Sequence, residues 1–180
     1  VSEHRIRIVI VDDQALFRGG IAMLIQSQSD LELVGEAGNG ADALSLVSAT
    51  APDLVLMDLR MPVMDGIEAT ERLMAAPTPP RVLVLTTFDL DASAARAIRA
   101  GASGFVLKDA DPEFLLAAIR TVHAGSAVIA PSAVTALLEH LGGASRPEPP
   151  EFGALTARER EIFLLAARGL SNTEIAHREY

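Results

Sequence analysis

The 180-residue sequence contains no cysteine and no tryptophan, and Lys108 is its one lysine. Without cysteine there is no disulfide scaffold, no thiolate metal site and no cysteine nucleophile. Apolar runs extend only a few residues, far short of a membrane span, and charges interrupt the apolar stretch of Val1 to Val11, so no signal peptide is expected there. A net charge of -9 disfavours nonspecific attraction to nucleic acid or to an anionic membrane, so any DNA contact must be local. With 49% hydrophobic and 22% charged residues, the chain is too apolar for disorder. A soluble cytoplasmic protein is expected, with one domain and room for a small appendage.

What is present alternates regularly. Ile6 to Val11 is a short β-branched apolar run, followed by Asp12-Asp13 and an amphipathic stretch, Ala15 to Ile25, with Leu16, Ile21, Leu24 and Ile25 at helical spacings. The same strand-then-helix pattern recurs at Leu33 to Ala37 with Ala41 to Val47, and at Leu54 to Met57 with Gly66 to Met74. Val82 to Leu85 with Ala92 to Ala100 and Phe105 to Leu107 with Pro112 to His123 complete five units. Apolar strands separated by helices predict an α/β domain: a doubly wound, five-stranded parallel sheet covered on both faces by right-handed crossovers. Ser132 to Leu141 allows one further helix, and the Pro- and Gly-rich stretch Gly142 to Pro150 reads as linker. Beyond it, Thr156-Ala-Arg-Glu159 and Ser171-Asn-Thr-Glu174 have the form of helix-opening capping boxes, with Gly169 placed to stop the first helix. Two short helices so joined predict a small, incomplete all-α helix-turn-helix segment.

Ligands of such sheets sit at the carboxyl ends of strands. Asp12 and Asp13 follow the first predicted strand and Asp58 the third, so three carboxylates can converge if the backbone turns there. Clustered carboxylates raise one another's pKa, and a hard divalent cation, Mg²⁺ for preference, would relieve the repulsion. An isolated Asp in a loop is ordinarily a solvated acid; three at one sheet edge favour a site. Thr86, ending the fourth strand, could be a mere strand former, yet its hydroxyl stands where it could donate to a phosphoryl oxygen. Lys108 ends the fifth strand, where an ammonium beside carboxylates would act as counter-ion. Asp65-Gly66 reads as turn chemistry with no catalytic role. Walker, H-E-x-x-H and G-x-S-x-G patterns are missing, and His4, His123, His140 and His177 are too dispersed for a metal set.

Asp12-Asp13, Asp58-Leu-Arg-Met-Pro62, Asp65-Gly66, Thr86 and Gly101-Ala-Ser-Gly-Phe-Val-Leu-Lys108 together resemble the receiver domain of bacterial two-component response regulators, a flavodoxin-like fold. Leu155-Thr-Ala-Arg-Glu159 with Gly169-Leu-Ser-Asn-Thr-Glu-Ile-Ala176 resembles the front half of the LuxR/NarL output domain. The resemblance implies a receiver over residues 1–124, a linker over 125–154 and the start of a helix-turn-helix domain over 155–180. It further implies phosphate transfer from a histidine kinase to Asp58, with Mg²⁺ held by Asp12, Asp13, Asp58 and the main-chain carbonyl of Arg60. Thr86 would swing toward the phosphate and Phe105 turn inward behind it, and Phe105 stands where the family often has tyrosine. The expected protein is a phosphorylation-dependent transcription regulator that dimerises on phosphorylation, has no membrane partner and is not a turnover enzyme.

Two other readings use the same residues. A Mg²⁺-dependent phosphatase working through an aspartyl phosphate is the alternative, but that class usually places its nucleophile in an Asp-x-Asp after the first strand. A degenerate receiver serving only as an interaction module is disfavoured by Asp58, Thr86 and Lys108 occurring together. The resemblance places the DNA-reading helix after the one opening near Asn172, and the sequence ends at Tyr180. Residues 125–180 carry five Arg and seven Glu. DNA binding is therefore expected only through a complete output domain and not from this chain alone.

Overall fold

The computed structural model describes residues 5–87 and 92–128, together with Thr156 and Glu159. Among these residues five strands alternate with five helices: β1 (Ile6–Val11), α1 (Ala15–Gln26), β2 (Leu31–Ala37), α2 (Gly40–Thr50), β3 (Leu54–Asp58), α3 (Gly66–Met74), β4 (Arg81–Thr86), α4 (Ala92–Arg99), β5 (Gly104–Leu107) and α5 (Pro112–His123). The expected helix from Ser132, the linker, the second capping box and the helices approaching Tyr180 lie outside the described residues.

The strands form one parallel sheet in the order β2-β1-β3-β4-β5. The chain steps outward from β1 to β2, then returns past β1 to β3, so the sheet reverses direction between β1 and β3. Their carboxyl ends therefore flank a crevice uncovered by crossover loops, which is where such folds hold ligands.

Period-two alternation divides the core into two layers. Ile8, Ile10, Leu54, Leu56, Leu83, Leu85 and Val106 pack with Ala22 and Ile25 of α1 and Leu115, Ile119 and Val122 of α5. Val9, Val11, Val55, Met57, Val82, Val84 and Phe105 pack on the other face with Ala43 and Val47 of α2, Ile67 and Leu73 of α3 and Ala97 of α4. Both strand faces are covered, which is why the strands read as unbroken apolar runs rather than alternating ones.

Side-chain caps fix three helix starts: Asn39 accepts from the Asp42 N–H, Asp65 from the Glu68 N–H and Asp111 from the Glu113 N–H, with Pro112 set at the opening of α5. Asp65-Gly66 is thus the start of α3 rather than a free turn. After α5 the chain returns to the sheet edge, where the Phe105 N–H donates to the Val128 carbonyl at 2.7 Å and Gly104 bridges Val128. A Cβ on Gly104 would fall 2.6 Å from that carbonyl, so this close pairing requires glycine.

The chain divides into two compact units, Val1–Gly142 and Gly143–Tyr180. In the second, Thr156 and Glu159 form a reciprocal cap: the Thr156 N–H and hydroxyl donate to Glu159 Oε2 at 2.8 and 2.7 Å, and the Glu159 N–H donates to the Thr156 hydroxyl oxygen at 3.3 Å. Those hydrogen bonds hold the Glu159 carboxyl below its ordinary pKa.

Candidate functional site

The β1 and β3 ends bring Asp12, Asp13 and Asp58 together, with one carboxylate oxygen from each lying within 4.8 Å of the others. Asp12 follows β1 immediately and is fully buried, Asp13 is exposed, and Asp58 closes β3 with 5% exposure. The backbone turn that the convergence needs is made by Asp12 itself: its N–H donates to the Ala37 carbonyl at 3.0 Å, while its Oδ1 accepts the Gln14 N–H at 2.8 Å.

Lys108 arrives from β5, and its Nζ lies 2.7 Å from Asp12 Oδ2 and 2.9 Å from Asp58 Oδ2. The contact with Asp58 is a directed hydrogen bond. That with Asp12 is an ion pair by distance only, since Asp12 Oδ2 is the buried side-chain oxygen, among the described residues, without a hydrogen-bond partner. Nζ also sits 4.9 Å from the centre of the Phe17 ring, within cation–π range.

Burial pushes the Asp58 carboxyl above its ordinary pKa, opposed but not overcome by the hydrogen bond and charge of Lys108 and reinforced by the Asp12 charge. Burial alone would lower the Lys108 ammonium, yet its close contacts with the Asp12 and Asp58 carboxylates outweigh that and raise it. One ammonium therefore stands among three carboxylates. A divalent cation with oxygen ligands fits what remains: negative charge in excess of the one ammonium, on three carboxylates with an oxygen each within 4.8 Å of the others.

The other expected residues lie on the same edge. The Arg60 N–H points at Asp58 Oδ1 from 3.4 Å. Thr86 ends β4 next to Lys108, whose N–H donates to the Thr86 carbonyl at 2.8 Å, but the Thr86 hydroxyl is turned to the Thr87 carbonyl at 3.1 Å. Phe105 is 1% exposed and lies within the valine-rich core layer. Its ring is thus already inside with the Thr86 hydroxyl turned away, and the expected inward rotation has no outward starting point here.

Residue types and spacing did not single out Phe17, Arg18 or Glu36, and they read Gly66 only as part of a turn. A Cβ on Gly66 would collide with the Asp58 carbonyl, so α3 can dock behind the acid only through glycine. A glycine at a helix start, eight residues after a strand-end acid, was the signal available for it. Arg18 and Glu36 are joined across 18 positions, and Phe17 meets Lys108 from the far end of the domain. No local pattern marks such pairs.

The reversal point between β1 and β3, lined by three carboxylates and reached by the lysine that follows β5, is the carboxyl-end crevice of a doubly wound α/β domain. Residues 8–120 match the family described as "Response regulator receiver domain". The chain is 38% identical over 182 residues to the transcriptional regulatory protein LnrK of Bacillus subtilis, covering 97% of this chain and 83% of that protein. It is 35% identical over 171 residues to the nitrate/nitrite response regulator protein NarL of Escherichia coli, covering 95% of this chain and 79% of that one. Among solved structures, the response regulator ChrA of a heme-sensing two-component system superposes with a TM-score of 0.66 at 33% identity, over 97% of this chain and 81% of ChrA. A LuxR-family response regulator from Aurantimonas gives 0.70 at 36% identity, over 77% of this chain and 99% of that one. The chain belongs to the two-component response regulators, in the LuxR/NarL group, and its function is phosphorylation-dependent transcription regulation. The comparisons lend the phosphatase reading no support.

Proposed function

We propose that Asp58 is the phosphoacceptor and that a histidine kinase is its donor. The observation that carries this is the Lys108 ammonium spanning Asp12 and Asp58 at 2.7 and 2.9 Å at the sheet's reversal point. An oxygen of Asp58 attacks phosphorus as the bond to the donor's leaving group breaks, a displacement that needs positioning and charge neutralisation more than covalent help from the protein. Asp12, Asp13, Asp58 and the main-chain carbonyl of Arg60 would hold Mg²⁺, which supplies positive charge to the phosphoryl oxygens. Lys108 exchanges its contact with Asp58 for a phosphoryl oxygen, and Thr86 releases the Thr87 carbonyl to donate to another. Hydrolysis later returns the carboxylate. The protein acts once on itself in each direction and is not a turnover enzyme.

The receiver extends through residue 124, a linker occupies 125–154, and the output domain begins at 155. Thr86 and Phe105 lie on β4 and β5, the strands whose edge Val128 joins, so a change at Thr86 reaches the chain leaving the receiver. Phosphorylation produces a homodimer, and a complete output domain contacts DNA. The protein works in the cytoplasm; no helix among the described residues is long and apolar enough to cross a membrane.

The test is incubation of the chain with Mg²⁺ and a small phosphodonor, followed by intact mass, peptide mapping and sedimentation. One phosphoryl group on Asp58, its loss in Asp58→Asn and dimer formation in the wild type are expected. Phosphate mapped to another residue would overturn the assignment.

A further inference from the structure

We infer that Arg18 is a positioning residue for the acid pair of the β1–α1 loop, held in place for that task by Glu36. The inference rests on the reading of Asp12 and Asp13 as cation ligands. Arg18 Nη1 donates to the Asp12 carbonyl at 2.6 Å, and Arg18 Nε donates to Glu36 Oε2 at 3.0 Å. Glu36 adjoins Ala37, whose carbonyl accepts the Asp12 N–H at 3.0 Å. The Asp12 main chain is thereby gripped on both sides, its N–H by β2 directly and its carbonyl through the Arg18–Glu36 pair.

This grip replaces one that α1 lacks. Gln14, at the helix start, makes no side-chain cap, so the turn carrying Asp12 and Asp13 is fixed by the Asp12 carboxylate on the Gln14 N–H and by Arg18. With side chains 22% and 40% exposed, the Arg18–Glu36 pair contributes little to global stability. Its geometry serves local orientation instead. Only a guanidinium can donate to a carbonyl and a carboxylate in fixed directions at once, and an ammonium would not hold the same fork.

The sign of the effect separates this role from a through-space one. A cation close to a Mg²⁺ site repels the metal, so neutralising an Arg18 that positioned nothing would tighten Mg²⁺ binding. Removing a positioning residue loosens it, by 10-fold or more where outer partners of metal ligands have this role.

The experiment is calorimetric titration of Mg²⁺ into the full chain for the wild type, Arg18→Gln, Arg18→Lys, Glu36→Gln, the Arg18→Gln/Glu36→Gln double variant and Asp13→Asn, with urea midpoints recorded for each. The expected result is a roughly 10-fold weaker affinity in Arg18→Gln, only partial recovery in Arg18→Lys, a smaller loss in Glu36→Gln, and a double variant no weaker than Arg18→Gln. Phosphorylation of Arg18→Gln by a small donor should return to the wild-type rate at saturating Mg²⁺, which a collapsed site would not permit. Unchanged or tighter Mg²⁺ binding in Arg18→Gln, with binding abolished in Asp13→Asn, overturns the inference while leaving the metal site intact. So do losses that add in the double variant. A wild type that binds no Mg²⁺ overturns the metal reading and the inference together.

Discussion

The two edges of one sheet treat charge in opposite ways. At the amino edge two acids have partners of their own: Asp53 Oδ2 accepts the Arg7 N–H at 2.8 Å, and Asp30 takes the Arg120 guanidinium on both oxygens, at 2.7 and 2.9 Å. The Arg120 hydrogen bonds hold the Asp30 carboxyl below its ordinary pKa. At the carboxyl edge three acids crowd within 4.8 Å of one another around one ammonium, and Asp58 is pushed up by burial. Both edges belong to the same strands, so strand formation does not account for the difference. The amino edge closes the fold; the carboxyl edge keeps an excess of negative charge that a cation can relieve.

Variants that break this contrast should rank accordingly. Lys108→Ala removes the ammonium ion-paired to both Asp12 and Asp58, and urea unfolding without Mg²⁺ should show a loss on the order of 3 kcal/mol. Mg²⁺ should still bind and recover part of that loss, while phosphorylation no longer drives dimerisation in sedimentation.

Gly66→Ala forces the start of α3 off the Asp58 carbonyl; it should cost about 2 kcal/mol in the same assay and slow phosphorylation from a small donor. Val63, in the β3–α3 loop, is an exposed β-branched residue at φ +70°. Val63→Asn, which tolerates that region without losing packing, should raise stability by about 1 kcal/mol.

Asp30→Asn sharpens the contrast from the amino edge. Asp30 is half-exposed, so the loss should stay below about 1 kcal/mol at neutral pH. Because its folded pKa is lowered, the contribution is present above the unfolded value and fades as pH falls through the folded one. Wild-type and variant urea midpoints should therefore converge in acid.

Much of this architecture is legible in the sequence, because both of its signals are local. All five strand and helix units stand where apolar runs and helical spacing place them, and Asp12, Asp13, Asp58, Thr86 and Lys108 share the expected edge. Boundaries moved where polarity hides them: α2 runs on through Ser48 to Thr50 before Ala51 ends it at φ 44°, and β2 begins at Leu31 rather than Leu33. What was not legible depends on pairs distant in sequence. Arg18 with Glu36, Lys108 with Phe17, and Val128 on Gly104 arise only when the sheet is assembled. The orientation of the Thr86 hydroxyl and the buried Phe105 ring are rotamer facts that residue identity does not carry.

The imbalance at the carboxyl edge is tested most directly by the gain in unfolding free energy that Mg²⁺ confers, measured with urea on the wild type, Asp13→Asn and Asp53→Asn. A ligand bound only by the folded state at 100 times its Kd should add about 2.7 kcal/mol. The wild type and Asp53→Asn should show that gain, and Asp13→Asn should lose most of it. An equal gain in all three proteins would contradict the account, because Mg²⁺ would then be acting elsewhere than at the three carboxylates.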